Sequence, residues 1–159
     1  MADCLQATVR TMPSMPVPPG SFEARRNQYS STRILKEMLG EVPQDAFKLL
    51  GVTDMDLCIP ILTYVFGEAQ LGGTAAVVSL ARLRQEFYGA APDRPLFLSR
   101  TRKECLHELG HTFGLIHCKS RDCVMSLSNT VVDVDTKGRD FCGQCRAVVS
   151  SETGRGRRE

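Results

Sequence analysis

The stretch HELGHTFGLIHC, residues 107 to 118, holds all three histidines of a 159-residue chain. Imidazoles and carboxylates bind transition metals, and this run sets three imidazoles within eleven residues, with a glutamate beside the first. His107 and His111 are four apart, so on a helix they stand one turn above each other and can reach a single zinc ion at about 2.0 to 2.1 Å. Glu108 occupies the adjacent position, close enough to take a proton from a metal-activated water without being a ligand itself. That is the general-base arrangement of a metallohydrolase. Zinc then needs a third protein ligand and an open fourth position. Gly114 accepts positive φ without a clash, which ends the helix three residues after His111 and lets His117 approach from another direction. A bare HExxH turns up by chance in helices, whereas HExxHxxGxxH is far more specific. A capped core helix with incidental histidines explains neither Gly114 nor His117.

Four of the seven cysteines lie just downstream. Cys118 and Cys123 have four residues between them, Cys142 and Cys145 have two, and 18 residues join the pairs. Two such pairs can supply a closed tetrahedral thiolate shell, a structural zinc site that adds folding free energy to a C-terminal half poor in apolar residues. Two disulfides or an iron–sulfur cluster are the competing readings, and a reducing compartment counts against the first. Because Cys118 follows His117 directly, a closed shell would fix the segment that carries the third imidazole. Cys4, Cys58 and Cys105 stand apart and read as small apolar or incidental residues.

These groups need rigid elements to hold them. An active-site helix is expected over about 99 to 113, where Leu106, Leu109 and Phe113 form an apolar stripe and Thr101 with Glu104 has the form of a capping box. A second amphipathic helix is expected from about Tyr29 to Leu39, with Ser30 or Ser31 as N-cap and Gly40 as a stop. LCIPILTYVFG and TAAVVSLARLR read as two strands separated by the turn signal Gly72, Gly73, and CLQATVR as a short first strand before the breaker PSMPVPPGS. Strands mixed with helices and no repeats point to an α/β (mixed α+β) domain.

The global properties narrow the function classes. A chain of this length with 42% hydrophobic residues suits one domain, expected over 1–149, followed by a basic flexible tail at 150–159. A net charge of +2, partly from that tail, gives no reason to expect a nucleic-acid partner. No apolar run is long enough to span a bilayer, and the N-terminus lacks the order of a secretory signal, so a cytoplasmic protein with no membrane partner is expected. A monomer is the default expectation.

HELGHTFGLIHC, then RDCVM and CGQC, resembles the archaemetzincin family, in which an HExxHxxGxxH run continues into a cysteine, a second cysteine five positions on, a nearby methionine and a final CxxC. Upstream, RRNQYSSTRIL and the segment from VTDMDLCIPILTYVFGEA to VVSLARLR are also similar to it, so the resemblance spans about residues 25 to 149. It implies a zinc metallopeptidase, a hydrolase acting on a peptide or protein substrate, with two zinc ions per chain. The catalytic zinc would sit on His107, His111 and His117 with Glu108 as general base, and the structural zinc on Cys118, Cys123, Cys142 and Cys145, within a zinc-held part at 118–149. Met125 would be the Met-turn beneath the catalytic metal; its own residue type suggests only core packing. The implied fold is a compact metzincin-like zincin domain with a twisted mixed sheet packed on the active-site helix. By the same analogy a substrate would lie extended along an exposed sheet edge, and TAAVVSL is either that edge or an interior strand. Some metzincins place a tyrosine after the methionine to steady the oxyanion, but Tyr29, Tyr64 and Tyr88 all precede it here. A backbone group, a water or Lys137 could substitute. A second function class, a non-catalytic zinc-stabilised protein-binding module, would need only the four-cysteine zinc.

Overall fold

The computed structural model describes Leu5 and residues 7 to 155. Along the chain come β1 (Phe22–Glu23), β2 (Gln28–Ser30), α1 (Ser31–Gly40), β3 (Leu49–Thr53), β4 (Leu57–Ile59), β5 (Leu62–Val65), β6 (Gly67–Ala69) and β7 (Ala75–Ser79). Two 3₁₀ turns lead to α2 (Arg94–Thr112), α3 (Val131–Thr136) and α4 (Gly143–Arg155). The strands form two mixed sheets rather than one. One runs β1-β2-β4-β5 with β2 and β4 parallel, and the other runs β3-β7-β6 with β3 and β7 parallel.

β7, AAVVS, is buried along its whole length, as befits a strand covered on both faces. It is therefore the centre of its sheet, and TAAVVSL is the interior strand and not the substrate edge. The edge beside β7 is β6, a short strand with no partner on its other side among the described residues. LCIPILTYVFG is also more than one strand: it folds as the β4–β5 hairpin, interrupted where Pro60 and Ile61 turn. Pro60 has no N–H to give to a ladder, which favours the break there. LLGVT, unremarked in sequence, becomes β3 because it can pair along the full length of β7.

α1 packs on β4, β6 and β7 and so joins the two sheets, with Ile34 and Met38 in one cluster with Leu57 and Val77. Ser30 is its N-cap, accepting from Arg33 N–H, and Gly40 lies within the last turn, followed by Glu41 as C-cap. α2 lies against β6 and β7. It begins five residues earlier than the expected 99, because Asp93 caps it by accepting from Leu96 N–H at 2.9 Å and Pro95 suits the first turn. Thr101 and Glu104 thus lie inside the helix and form no capping box. The main core gathers Leu106 and Leu109 of α2 and its C-cap Phe113 with Cys123, Val124, Met125, Phe141, Cys145 and Val149. Val149 lies in this core and α4 continues to Arg155, so residues 150–155 of the expected tail are helical; residues 156–159 lie outside the described residues. Residues 7–10 of the expected first strand are irregular, and positions 4 and 6 also lie outside the description.

Candidate metal centre

α2 presents His107 and His111 one turn apart, their ring centroids separated by 4.7 Å. Gly114, at φ +83°, then reverses the chain, and His117 comes round to within 5.3 Å of the first ring and 5.0 Å of the second. One nitrogen from each of the three lies within 4.8 Å of the others.

The outer nitrogens explain which way the rings face. His107 Nδ1 is 2.9 Å from the Val124 carbonyl oxygen, and His111 Nδ1 is 2.7 Å from that of Leu115. A carbonyl only accepts, and the Val124 oxygen is nearer to His107 Nδ1 than the Lys137 ammonium at 3.3 Å, so both Nδ1 atoms are assigned the proton and both Nε2 atoms a lone pair. Those two Nε2 atoms face each other at 3.2 Å. Two acceptors at that separation share no hydrogen bond, but they suit a common cation: nitrogens 2.0 to 2.1 Å from a tetrahedral ion stand about 3.3 to 3.4 Å apart. Burial holds His107 well below the usual imidazole range, with Lys137 adding to it, and burial also lowers His111 and His117. The rings are thus kept neutral, the form that ligates a metal.

Glu108 follows His107 and is buried beneath β6. Burial pushes its carboxyl well above the usual range, the neighbouring Glu104 adds to that, and Lys137 opposes it. Lys137 itself is not placed to meet an oxyanion. Its ammonium is buried behind the histidines, 2.7 Å from Glu104 Oε1 and 3.3 Å from His107 Nδ1, on the far side of the ring from Nε2. This Glu104–Lys137 pair escaped the sequence reading, since Glu104 fitted a helix cap and nothing local tied it to a residue 33 positions on.

The four cysteines also converge, one sulfur from each within 4.8 Å of the rest. Cys118 Sγ and Cys142 Sγ are 3.9 Å apart, against about 3.8 Å for two sulfurs at 2.3 Å on a tetrahedral ion and about 2.05 Å in a disulfide. All six described cysteines are free, so the two disulfides do not form. The backbone N–H of Cys145 draws the Cys142 thiol down to about 7, while burial raises Cys123 and Cys145. Cys58 and Cys105 sit in the core away from this group, and burial pushes the Cys105 thiol up to about 12.

The two donor groups share one scaffold. Cys118 N–H donates to Met125 O at 2.9 Å, and Val124, whose carbonyl fixes His107, lies between Cys123 and Met125. Met125 is fully buried with its sulfur against Gly110, where any side chain would collide with it. A cleft of about 670 Å³ between the 114–120 loop and the start of α4 is lined by His117, Cys118, Cys142 and Val148.

Fold and donor sets together define a metal-dependent hydrolase built on an HExxH helix. Residues 17–151 match the model of peptidase family M54. The archaemetzincin of Methanocaldococcus jannaschii is 44% identical over 134 residues, covering 84% of this chain and 73% of its own. The crystal structure of the Archaeoglobus fulgidus archaemetzincin, complexed with malonate, superposes with a TM-score of 0.80 at 39% identity, over 92% of this chain and 85% of that one. A zinc-dependent peptidase from Methanocorpusculum labreanum superposes at 0.82 with 32% identity, over 93% and 88%. The chain belongs to peptidase family M54. A zinc metallopeptidase is the class that this membership supports. No helix among the described residues is long and apolar enough to cross a membrane.

Proposed function

We propose that the protein hydrolyses peptide bonds with one zinc on His107, His111 and His117 and with Glu108 as general base, and that Cys118, Cys123, Cys142 and Cys145 hold a second, structural zinc. The observation that carries the reading is the facing pair of Nε2 lone pairs at 3.2 Å, each ring locked from behind by a backbone carbonyl. Bound there, zinc would supply Lewis acidity, polarising the scissile carbonyl and making water a better acid. Glu108 would take the proton of the attacking water and pass it to the leaving amine. Val124 O and Leu115 O hold the two helical imidazoles in the tautomer that ligates. An extended substrate would add beside β6, whose outer edge pairs with no strand among the described residues. Six described cysteines outside any disulfide agree with a reducing cytoplasm, and one domain acting as a monomer is the simplest assembly for this chain.

The test is metal content and turnover together. The zinc-loaded protein should carry two zinc ions and cleave members of a broad peptide mixture, and Glu108→Gln should keep both ions while losing about 10²- to 10⁴-fold in rate. Two bound ions with no cleavage and no affinity for acetohydroxamate would overturn the proposal. A single ion, held by the cysteines alone, would favour the binding module instead.

A further inference from the structure

Gly67 opens β6 directly above the catalytic helix. Its backbone lies outside the left-handed region, so conformation does not call for glycine; space does. A Cβ at this position would stand 2.6 Å from Glu108 Cγ, 2.7 Å from Glu108 Cδ and 2.6 Å from Val77 O, well inside the roughly 3.5 to 4.0 Å of ordinary contact. The strand cannot drift away to relieve this. Glu68, the next residue, accepts from Ser31 Oγ at 2.5 Å and Thr32 Oγ1 at 3.0 Å in the first turn of α1. β6 is registered on β7 from Gly67 opposite Val78 to Ala69 opposite Ala76. The turn after it is latched to the end of α2, where Gly72 N–H donates to His111 O at 2.9 Å and Lys48 Nζ bridges Gly73 O at 2.6 Å and Thr112 O at 2.8 Å.

We propose that Gly67 is a positioning residue for Glu108: the missing side chain leaves the slot between β6 and α2 in which the carboxylate is held toward the three-histidine group. The inference rests on Glu108 being the general base. A carboxylate displaced by about 1 Å can cost on the order of 10²-fold in rate even when every ligand stays in place.

The experiment uses the full chain loaded with zinc. Gly67→Ala should keep the metal content of the parent, lower kcat at least about tenfold with KM within about twofold, and weaken inhibition by acetohydroxamate. Contact with Glu108 is separated from contact with Val77 O by a thermal cycle. Gly67→Ala should lower Tm in the parent and by less than about half as much in Glu108→Ala, since the Val77 O contact is common to both backgrounds. Equal Tm losses in the two backgrounds, or an unchanged kcat, would overturn the proposal. If Gly67→Ala alone does not fold, recovery of the fold in the double variant supports it, and failure of both overturns it. A parent protein that cleaves nothing would instead remove the general-base reading, while the thermal cycle would still report the contact.

Discussion

Breaking the four-cysteine group should empty both proposed zinc sites, whereas breaking the three-histidine group should empty only one. Cys123 is fully buried and shares the main core with Leu106 and Leu109 of α2. The next residue, Val124, supplies the carbonyl that orients His107, and Cys118 is bonded to His117 in the chain and hydrogen-bonded to Met125. A structural zinc contributes about 10 to 16 kcal/mol at neutral pH, while a domain's whole stability is about 5 to 15 kcal/mol. Cys123→Ser should therefore abolish the cooperative melt and lose both ions. His111→Ala removes a ligand from the open site alone. At zinc 100- to 1,000-fold above its dissociation constant that site contributes about 2.7 to 4.1 kcal/mol, so Tm should fall by roughly 5 to 15 °C with one ion retained. Elemental analysis after desalting, beside thermal unfolding, reads both quantities. A Cys123→Ser protein that keeps the histidine-bound ion and melts near the parent would refute the shared-scaffold argument, as would loss of both ions from His111→Ala.

Three further outcomes follow from named contacts. Lys137→Met leaves Glu104 buried without its counter-charge and should cost about 3 to 5 kcal/mol; converting both residues to Met should restore most of it in denaturant titrations, and no recovery would mean that Lys137 acts through another contact. Gly114→Ala forces a side chain into φ +83° and should cost roughly 1 to 2 kcal/mol while weakening zinc retention in chelator competition; unchanged retention would show that His117 does not depend on that turn. Burial raises Asp56, but hydrogen bonds from Arg82 and Gln28 outweigh it and hold the carboxyl below its usual range. Its contribution is then fully present above about 3.9 and fades as pH falls through the lower folded value. Asp56→Asn should be less stable by about 1.5 to 3 kcal/mol, with a gap that is level from pH 8 to 5; a gap that closes within that range would contradict the depressed carboxyl.

Features set by short spacing were legible in the sequence. His107, Glu108 and His111 declare a helix face by their intervals, Gly114 declares the turn, and the cysteine pairs declare a convergence, because each depends on a few neighbouring residues. The misreadings came where a local pattern had a distant partner. Thr101 and Glu104 imitate a capping box, but Glu104 meets Lys137 from the loop after α3, and the true cap is Asp93. Gly72 and Gly73 mark a real hairpin, yet they do not reveal that β3, well upstream at Leu49–Thr53, covers the far side of β7 and makes it central. Residues 150–155, the first part of the expected tail, continue α4, whose Val149 lies in the core.

The orientation of the histidines was illegible for a different reason: it is done by backbone atoms. Val124 and Leu115 act through carbonyl oxygens, which every residue carries, so no side-chain pattern could mark them. Their placement depends instead on what brackets them. Leu115 follows the left-handed Gly114, and Val124 is held between a cysteine of the four-thiol group and the buried Met125, with its own N–H donating to Asp140 O at 2.9 Å. A zinc closing the four-thiol group would therefore do more than add stability, since it would hold in place the acceptor that decides which nitrogen of His107 keeps its proton. A site with three ligands and one open position leaves little margin for a wrong tautomer, because a single ring presenting N–H would remove a third of its donors. In this chain the four-thiol and three-imidazole groups are linked through the Val124 carbonyl and through the chain bond between His117 and Cys118, so in the proposed enzyme the catalytic geometry would be inherited from the structural site.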